Sequence, residues 1–248
     1  MWQNKTVSVV FPVYNEEEGI LNAIDDFFAT GYVDEIVVVD NNSKDNSAQL
    51  VRTTKARLVT ETKQGYGFAL RRGMREATSD LIILAEPDGT FIGRDVLKLL
   101  AYSADFEMVL GTRTTRELIW DGANMGIMLR TGNWIVAKML EVLFNTSSLS
   151  DCGCTLRLAH REVIEKIIYH FTVGKSHFLP EMVILARLHN VRMVEIPINY
   201  RGRLGTSKIT GSLMTTVRVA LAMISVIISY RIKSWLGLQP GAKSMPSA

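Results

Sequence analysis

Short apolar runs alternate along the chain with longer amphipathic stretches, and nearly every run ends in a polar turn. Residues 6–11 (TVSVVF) are β-branched and apolar and run into Pro12, which predicts a buried strand. Asn15 is placed to cap a helix over residues 16–29, which Gly31 closes. Residues 35–39 predict a second strand, 47–54 a helix, and 57–60 a third strand. A loop over 63–69 leads into a helix over 70–77. Residues 81–85 form a fully apolar run, and Pro87 and Gly89 then stop strand pairing. Beyond it the pattern predicts a helix over 95–102, a strand over 106–110 and helices over 126–144 and 178–189. Residues 191–200 alternate, and Pro197 among them marks an edge strand or a bulge. Strands that alternate with helices predict an α/β domain, with a mostly parallel sheet flanked by helices.

The last periodic stretch, residues 213–235, predicts an amphipathic C-terminal helix. Val217, Leu221, Ile224, Ile228 and Ile232 share one apolar face, while Arg218, Ala222, Ser225, Ser229 and Lys233 share a small or polar stripe. The unbroken apolar run spans 219–230, short of the ~20 residues that cross a bilayer. The favoured expectation is a helix lying in the membrane interface, with Arg231, Lys233 and Trp235 at headgroup level. A helix packed on the domain's own core and a dimer seam are the alternatives. The expected division is a catalytic domain over 1–210, this helix over 211–236 and a flexible tail over 237–248.

Composition sharpens this picture at one end. The 248 residues, 47% of them apolar, suffice for one large domain. The net charge of +3 hides an asymmetry: residues 201–248 carry seven basic groups and no acid, and residues 1–200 are net negative. A basic, partly apolar end suits an anionic surface or ligand, and no nucleic-acid partner is expected. The only cysteines, Cys152 and Cys154, give no disulfide framework and fit a reducing compartment. The four histidines show no zinc-ligand spacing. Met1 leads almost at once into the first strand, so no signal peptide is expected.

Candidate chemistry sits at the strand ends, where parallel sheets bind ligands. Glu86-Pro87-Asp88 follows the most apolar strand, and two carboxylates there could hold Mg²⁺ or Mn²⁺ against a phosphate. Asp40 closes the second strand, as a hydrogen-bond acceptor or as an Asx-turn. Lys63 opens a loop whose glycines permit close backbone approach at a helix start that favours anions. Arg113, after the 106–110 strand, could grip a phosphate bidentately. Arg130 is either a solvent-facing charge or part of an anion site. Asp151 is either a base or a structural hydrogen-bonding group. Residues 201–208 hold Arg201, Arg203 and Lys208 with two glycines, a loop suited to closing over phosphates.

Val10-Phe11-Pro12-Val13-Tyr14-Asn15-Glu16, Val38-Val39-Asp40, Glu86-Pro87-Asp88, Gly111-Thr112-Arg113 and the stretch from Tyr200 to Lys208 occur in this order. Together they resemble the inverting family-2 glycosyltransferases of GT-A fold, in particular the polyprenyl-phosphate sugar synthases related to dolichyl-phosphate mannose synthase. The resemblance implies a metal-dependent transfer of sugar from a nucleoside-diphosphate sugar to a polyprenyl phosphate. It implies that Pro12, Tyr14, Glu16, Asp40 and Glu86 hold the nucleotide sugar, with Lys63 in the same set. It implies that Asp88, assisted by Glu86, binds Mg²⁺ or Mn²⁺. Arg113 and Arg130 would face the acceptor phosphate, and Arg201, Arg203, Ser207 and Lys208 would bind phosphates from the C-terminal loop. Asp88, Arg113, Arg130 and Asp151 are the expected catalytic set. The family's Asp-x-Asp reads Glu86-Pro87-Asp88 here, and its Asp-x-Thr-Ser-Gly-Phe-Arg survives only in Asp151 and Thr155-Leu156-Arg157's final arginine. The resemblance further implies a protein held peripherally at the cytoplasmic face of a membrane, and it leaves the oligomeric state open. Transfer to a saccharide hydroxyl, nucleotidyl transfer and a degenerate membrane-docking module are the competing readings.

Overall fold

The computed structural model describes residues 1–123, 126–204 and 213–238. A seven-stranded sheet runs through it in the order β3-β2-β1-β4-β6-β5-β7. The strands are β1 (Val7–Val13), β2 (Glu35–Asp40), β3 (Arg57–Thr60), β4 (Leu81–Leu84), β5 (Met108–Thr112), β6 (Arg157–His160) and β7 (Met193–Pro197). All neighbours pair in parallel except β6, which runs antiparallel to both β4 and β5. The mostly parallel α/β sheet expected from the sequence is therefore present, and β7, which ends at Pro197, is an edge strand.

The helices are α1 (Ile20–Phe28), α2 (Ser47–Val51), α3 (Tyr66–Glu76), α4 (Asp95–Tyr102), α5 (Ile127–Phe144), α6 (Arg161–Ile167), α7 (Phe178–Leu188) and α8 (Leu213–Trp235). They cover both faces, and a core lies on each side of the sheet. On one side Val7, Val9, Phe11 and Val13 meet Ile20, Ile24 and Phe27 of α1 and Val96, Leu99 and Leu100 of α4. On the other, Val10, Val37 and Val39 meet Leu70 and Met74 of α3, with α5 to α8 completing the layer. Burial on both faces explains why β1, β2 and β4 read as continuous apolar runs rather than alternating ones.

Three local expectations are corrected. Asn15 does not cap α1: it adopts φ 55° and its side chain accepts a hydrogen bond from the Lys44 amide, so α1 begins only at Ile20. Helix α3 begins at Tyr66, four residues early, because Gly65 (φ 153°) lets the chain turn against Gly174, whose carbonyl a Cβ there would meet at 2.2 Å. Strand β6 and helix α6 were not anticipated. Helix α8 packs on the domain with its inner face, since Met223, Ile227 and Tyr230 are buried in the same core as α5 and α7.

Helix α8 nevertheless keeps an apolar outer face. Met214, Val217, Leu221, Ile228, Ile232 and Trp235 are exposed, so the predicted apolar face points mostly away from the domain. By length and composition Met214–Trp235 could cross a membrane, but its inner face is occupied by the protein's own core. Alongside, α5 exposes Trp134, Ile135 and Val142.

Candidate active site

The carboxyl ends of β1, β4 and β5 open into a cleft of about 460 Å³. Its walls are of two kinds. Pro12, Tyr14, Glu16, Asn41, Glu86, Asp88, Arg113 and Arg203 supply a polar floor. Leu129, Val136, Leu179, Val219, Ala220 and Met223, from α5, α7 and α8, supply an apolar flank.

Asp88 is buried, and the turn that carries it is closed by its own side chain. The amide and hydroxyl of Thr90 donate to Asp88 Oδ1 at 3.0 and 2.5 Å. Gly89 follows in the left-handed region (φ 80°), with Leu204 packed over it. Asp88 Oδ2 accepts a 2.8 Å bond from Arg203 Nη1, and the other guanidinium nitrogen donates to Glu16. The Leu204 amide donates to the Asp88 carbonyl at 2.8 Å. Residues 203–204 thus sit directly on the acidic turn, and Arg203 links the ends of β1 and β4. Asp88, Glu16 and Glu86 hold its guanidinium above its usual range, against the opposing effect of burial.

Glu86 points to another partner set. Its Oε1 accepts from Thr155 Oγ1 at 2.7 Å and Tyr66 Oη at 3.1 Å, and those two hydroxyls lie 2.5 Å apart. Burial and the nearby Asp88 charge push its carboxyl above the ordinary range, while Thr155, Arg113 and Arg203 pull it back. The same burial, with Glu86 beside it, raises the Tyr66 phenol well above its usual value.

Arg113 is fixed by Asp151. Nε and Nη2 donate to the two carboxylate oxygens at 2.7 and 2.9 Å, and the Arg113 amide adds a third bond at 3.1 Å. Both groups are buried. Such a bidentate, charge-assisted pair is geometrically strict. Asp151 is itself held from behind, since Glu195 of β7 accepts from the Asp151 and Ser150 amides at 2.9 and 2.7 Å. The Arg113 guanidinium lies 5.1 Å from the Tyr200 ring, another lining residue.

The sequence-derived set is therefore partly assembled here. Pro12, Tyr14, Glu16, Glu86, Asp88, Arg113 and Arg203 line one cleft. Asp151 lies behind it as the anchor of Arg113, with both oxygens engaged, rather than at the surface where a base would stand. Asp40 forms the Asx-turn, its Oδ1 accepting from the Ser43 amide at 3.2 Å. Lys63 is exposed and its ammonium lies 5.8 Å from the Phe68 ring. Arg130 is half-buried on α5 but is not among the lining residues. Arg201 stacks on Trp120 at 4.5 Å, outside the lining set. Ser207 and Lys208 lie outside the described residues.

Among the lining residues that escaped sequence reasoning are Asn41, Tyr66, Thr155 and Tyr200. Asn41 is buried, donates to the Glu61 and Lys63 carbonyls at 2.8 Å and accepts from the Gly65 amide at 2.7 Å. The polar run that starts at Asp40 drew attention to its first residue, whereas the second faces the cleft. Arg157, the largest fully buried side chain, donates to the Cys154, Cys152 and Leu179 carbonyls. It folds the 152–154 loop around itself, and burial lifts the Cys154 thiol to about 12, which makes that cysteine a packing residue.

The acid groups suit a hard divalent cation. Asp88 already binds a cationic group, and carboxylate oxygen is the donor that Mg²⁺ and Mn²⁺ take. Among the described residues no three acid, histidine or cysteine side chains are grouped so as to hold a metal ion. Such a cation would then rely on Asp88 and Glu86 together with ligand oxygens, the habit of metals bound with phosphate substrates.

A mostly parallel α/β sheet whose strand ends deliver Asp88 and Glu86 into one cleft beside Arg203 is the GT-A fold of a glycosyltransferase. The chain belongs to glycosyl transferase family 2, whose family model matches residues 8–168. It is similar to uncharacterized glycosyltransferases of Mycobacterium bovis and Mycobacterium tuberculosis, 29% identical over 223 residues, which cover 89% of this chain and 97% of theirs. Among solved structures it resembles the glucosyl-3-phosphoglycerate synthase of M. tuberculosis in complex with Mn²⁺, UDP and glucosyl-3-phosphoglycerate. That likeness has a TM-score of 0.71 at 18% identity, over 91% of this chain and 80% of that one. The same enzyme with Mn²⁺ and UDP-glucose gives a TM-score of 0.69 at 18% identity, over 91% and 79%.

Proposed function

We propose that this protein transfers a sugar, with inversion, from a nucleoside-diphosphate sugar to a polyprenyl phosphate at a membrane surface. The observation that carries the acceptor class is the cleft's division into a charged floor and an apolar flank between α5 and α8. A phosphate on an isoprenoid chain has that same division. A small, fully polar acceptor would leave the flank of Leu129, Val136, Val219 and Met223 without a partner. The exposed apolar faces of α8 and α5 support a peripheral membrane location, with the basic C-terminal segment toward anionic headgroups.

Pro12, Tyr14, Glu16 and Asn41 would hold the nucleoside on the β1–β2 side. Asp88 with Glu86 would hold a divalent cation, Mg²⁺ or Mn²⁺, and that cation supplies charge neutralisation for the departing diphosphate. Glucosyl-3-phosphoglycerate synthase, solved with Mn²⁺ and UDP-glucose, supports this donor chemistry on the shared fold. Arg203 leaves Asp88 and Glu16 for the diphosphate, exchanging carboxylate partners for phosphate ones. Arg113, fixed by Asp151, faces the acceptor phosphate. The phosphate oxygen forms a bond to the anomeric carbon as the bond from that carbon to the diphosphate oxygen breaks. The attacking oxygen is already anionic near neutral pH, so positioning and charge balance suffice and no proton acceptor is needed. The engagement of both Asp151 oxygens agrees with this, because a hydroxyl acceptor would require a free base.

The test is a screen of GDP- and UDP-sugars with a short polyprenyl phosphate and Mg²⁺ or Mn²⁺, with lipid-linked product read by mass. Glycolipid from one donor supports the proposal. Product on 3-phosphoglycerate or a saccharide, with none on lipid, rejects it.

A further inference from the structure

Glu181 is a fully buried acid in the first turn of α7, away from the cleft's charged floor. Four donors converge on it. Thr172 gives its amide at 2.9 Å and its hydroxyl at 2.6 Å to Oε1, and the Val173 amide gives 2.9 Å to Oε2. The fourth is the Tyr230 hydroxyl of α8, 2.7 Å from Oε1. Every partner donates, so the position calls for a side chain that only accepts. A glutamine would set its NH₂ group against one of them.

The two segments that meet at Glu181 are both walls of the cleft. The 172–176 segment hands the Gly174 carbonyl to the Phe68 amide at 3.2 Å, presses on Gly65 and Gly67, and brings Ser176 to the lining. It therefore braces the start of α3, whose Tyr66 holds Glu86. Helix α8 brings Val219, Ala220 and Met223 to the apolar flank. Met223 and Ile227 fix how deeply α8 sits, but apolar contacts tolerate sliding along and rotation about the helix axis. A directional hydrogen bond does not.

We propose that Tyr230 and Glu181 are positioning residues. Their hydrogen bond sets the register of α8 and so places its N-terminal half as the wall against which the acceptor's apolar chain lies. The inference rests on the acceptor class proposed above, and it adds two residues that touch neither substrate.

Tyr230→Phe removes the hydroxyl alone and keeps the ring that packs in the core. Removal of one net hydrogen bond is expected to raise the acceptor KM roughly three- to ten-fold. The donor KM, and the slow hydrolysis of donor in the absence of acceptor, stay at wild-type values. Amides of Met214 to Ala222 exchange hydrogen faster than in wild type, while those of β1 and β2 do not. Assays use the full chain, with polyprenyl phosphate carried in phosphatidylglycerol–phosphatidylcholine vesicles. Wild-type exchange rates along α8 in the variant overturn the positioning role. Faster exchange with an unchanged acceptor KM overturns its link to acceptor binding. Equal loss on donor and acceptor with faster exchange everywhere makes Tyr230 a general stability residue and also overturns it. Thr172→Val provides a second variant, which trims the Glu181 network from the side of the 172–176 segment and is expected to leave α8 exchange unchanged. Absence of glycolipid from the wild type rejects the acceptor class alone, because the exchange comparison still reads the positioning.

Discussion

At the scale of single residues, the site is governed by which charge sits on which carboxylate. Asp88 carries one cation already, Arg203, and the proposed divalent ion must share or take that place. Arg203→Ala is therefore expected to bind Mn²⁺ about ten-fold more tightly than wild type when no donor is present, read from the free Mn²⁺ signal in electron paramagnetic resonance. Its turnover is expected to fall all the same, because the diphosphate loses a cationic partner. Unchanged Mn²⁺ affinity would show that Arg203 does not compete for Asp88. The Arg113–Asp151 pair obeys a different rule. Asp151→Ala leaves a buried guanidinium without its counter-charge, at a cost of about 3 kcal/mol or more, and Tm should drop by roughly 10 °C. If Asp151 were instead a free base, its removal would abolish turnover with little change in Tm. The ends of β1 and β2 were only partly legible at this scale. Tyr14 and Glu16 line the cleft, as does Asn41, whereas Asp40 accepts from the Ser43 amide and is not among the lining residues. Adjacent polar residues at a strand end point to opposite sides, and a single sequence does not say which side faces the ligand.

At the scale of elements, continuous apolar runs made β1, β2 and β4 easy to place, since burial on both faces leaves no polar alternation to confuse. Strand β6 was hidden because Arg157 opens it and His160 closes it, and a charged residue in a central strand makes sense only once three carbonyls wrap the guanidinium. Helix α8 was legible as amphipathic, yet its docking face was not. Met223, Ile227 and Tyr230 face the core, while Leu221 and Ile228 face outward, and a helix apolar on two sides gives no periodic cue to tell them apart. Because Leu221 and Ile228 are exposed, Leu221→Asp with Ile228→Asp should leave the fold intact. Co-sedimentation with anionic vesicles should fall ten-fold or more, given ~1.5–3 kcal/mol for each side chain no longer buried in lipid. Undiminished sedimentation would remove the outer face of α8 from the account. The amino end of β2 supplies a pH test. Burial pushes the Glu35 carboxyl up, but bonds from Ser8, Thr78 and Arg57 outweigh it and set it below the ordinary 4.5. The unfolded chain then holds that proton more tightly, so the stabilisation is present at neutral pH and is lost as pH falls below 4.5. The Tm gap between wild type and Glu35→Gln should shrink on acidification from pH 6 to 3.5, whereas a constant gap would mean that Glu35 stabilises through packing alone.

At the scale of the whole molecule, the acidic body and the acid-free C-terminal segment meet at the cleft. The body supplies Glu16, Glu86 and Asp88, and the segment supplies Arg203 and the apolar wall of α8. Membership of glycosyl transferase family 2 and the GT-A fold fix the class of chemistry. The proposed acceptor class rests on the division of the cleft, which no linear motif displays because its apolar flank is gathered from α5, α7 and α8. The most direct test of the central claim is the mass-detected formation of glycosyl polyprenyl phosphate from a nucleoside-diphosphate sugar with Mn²⁺ present, run on wild type and on Asp88→Ala. The account predicts lipid-linked product from the wild type and a loss of about 100-fold or more in the variant. Product formed equally well by Asp88→Ala, or donor consumed with sugar reaching only soluble acceptors, would contradict it.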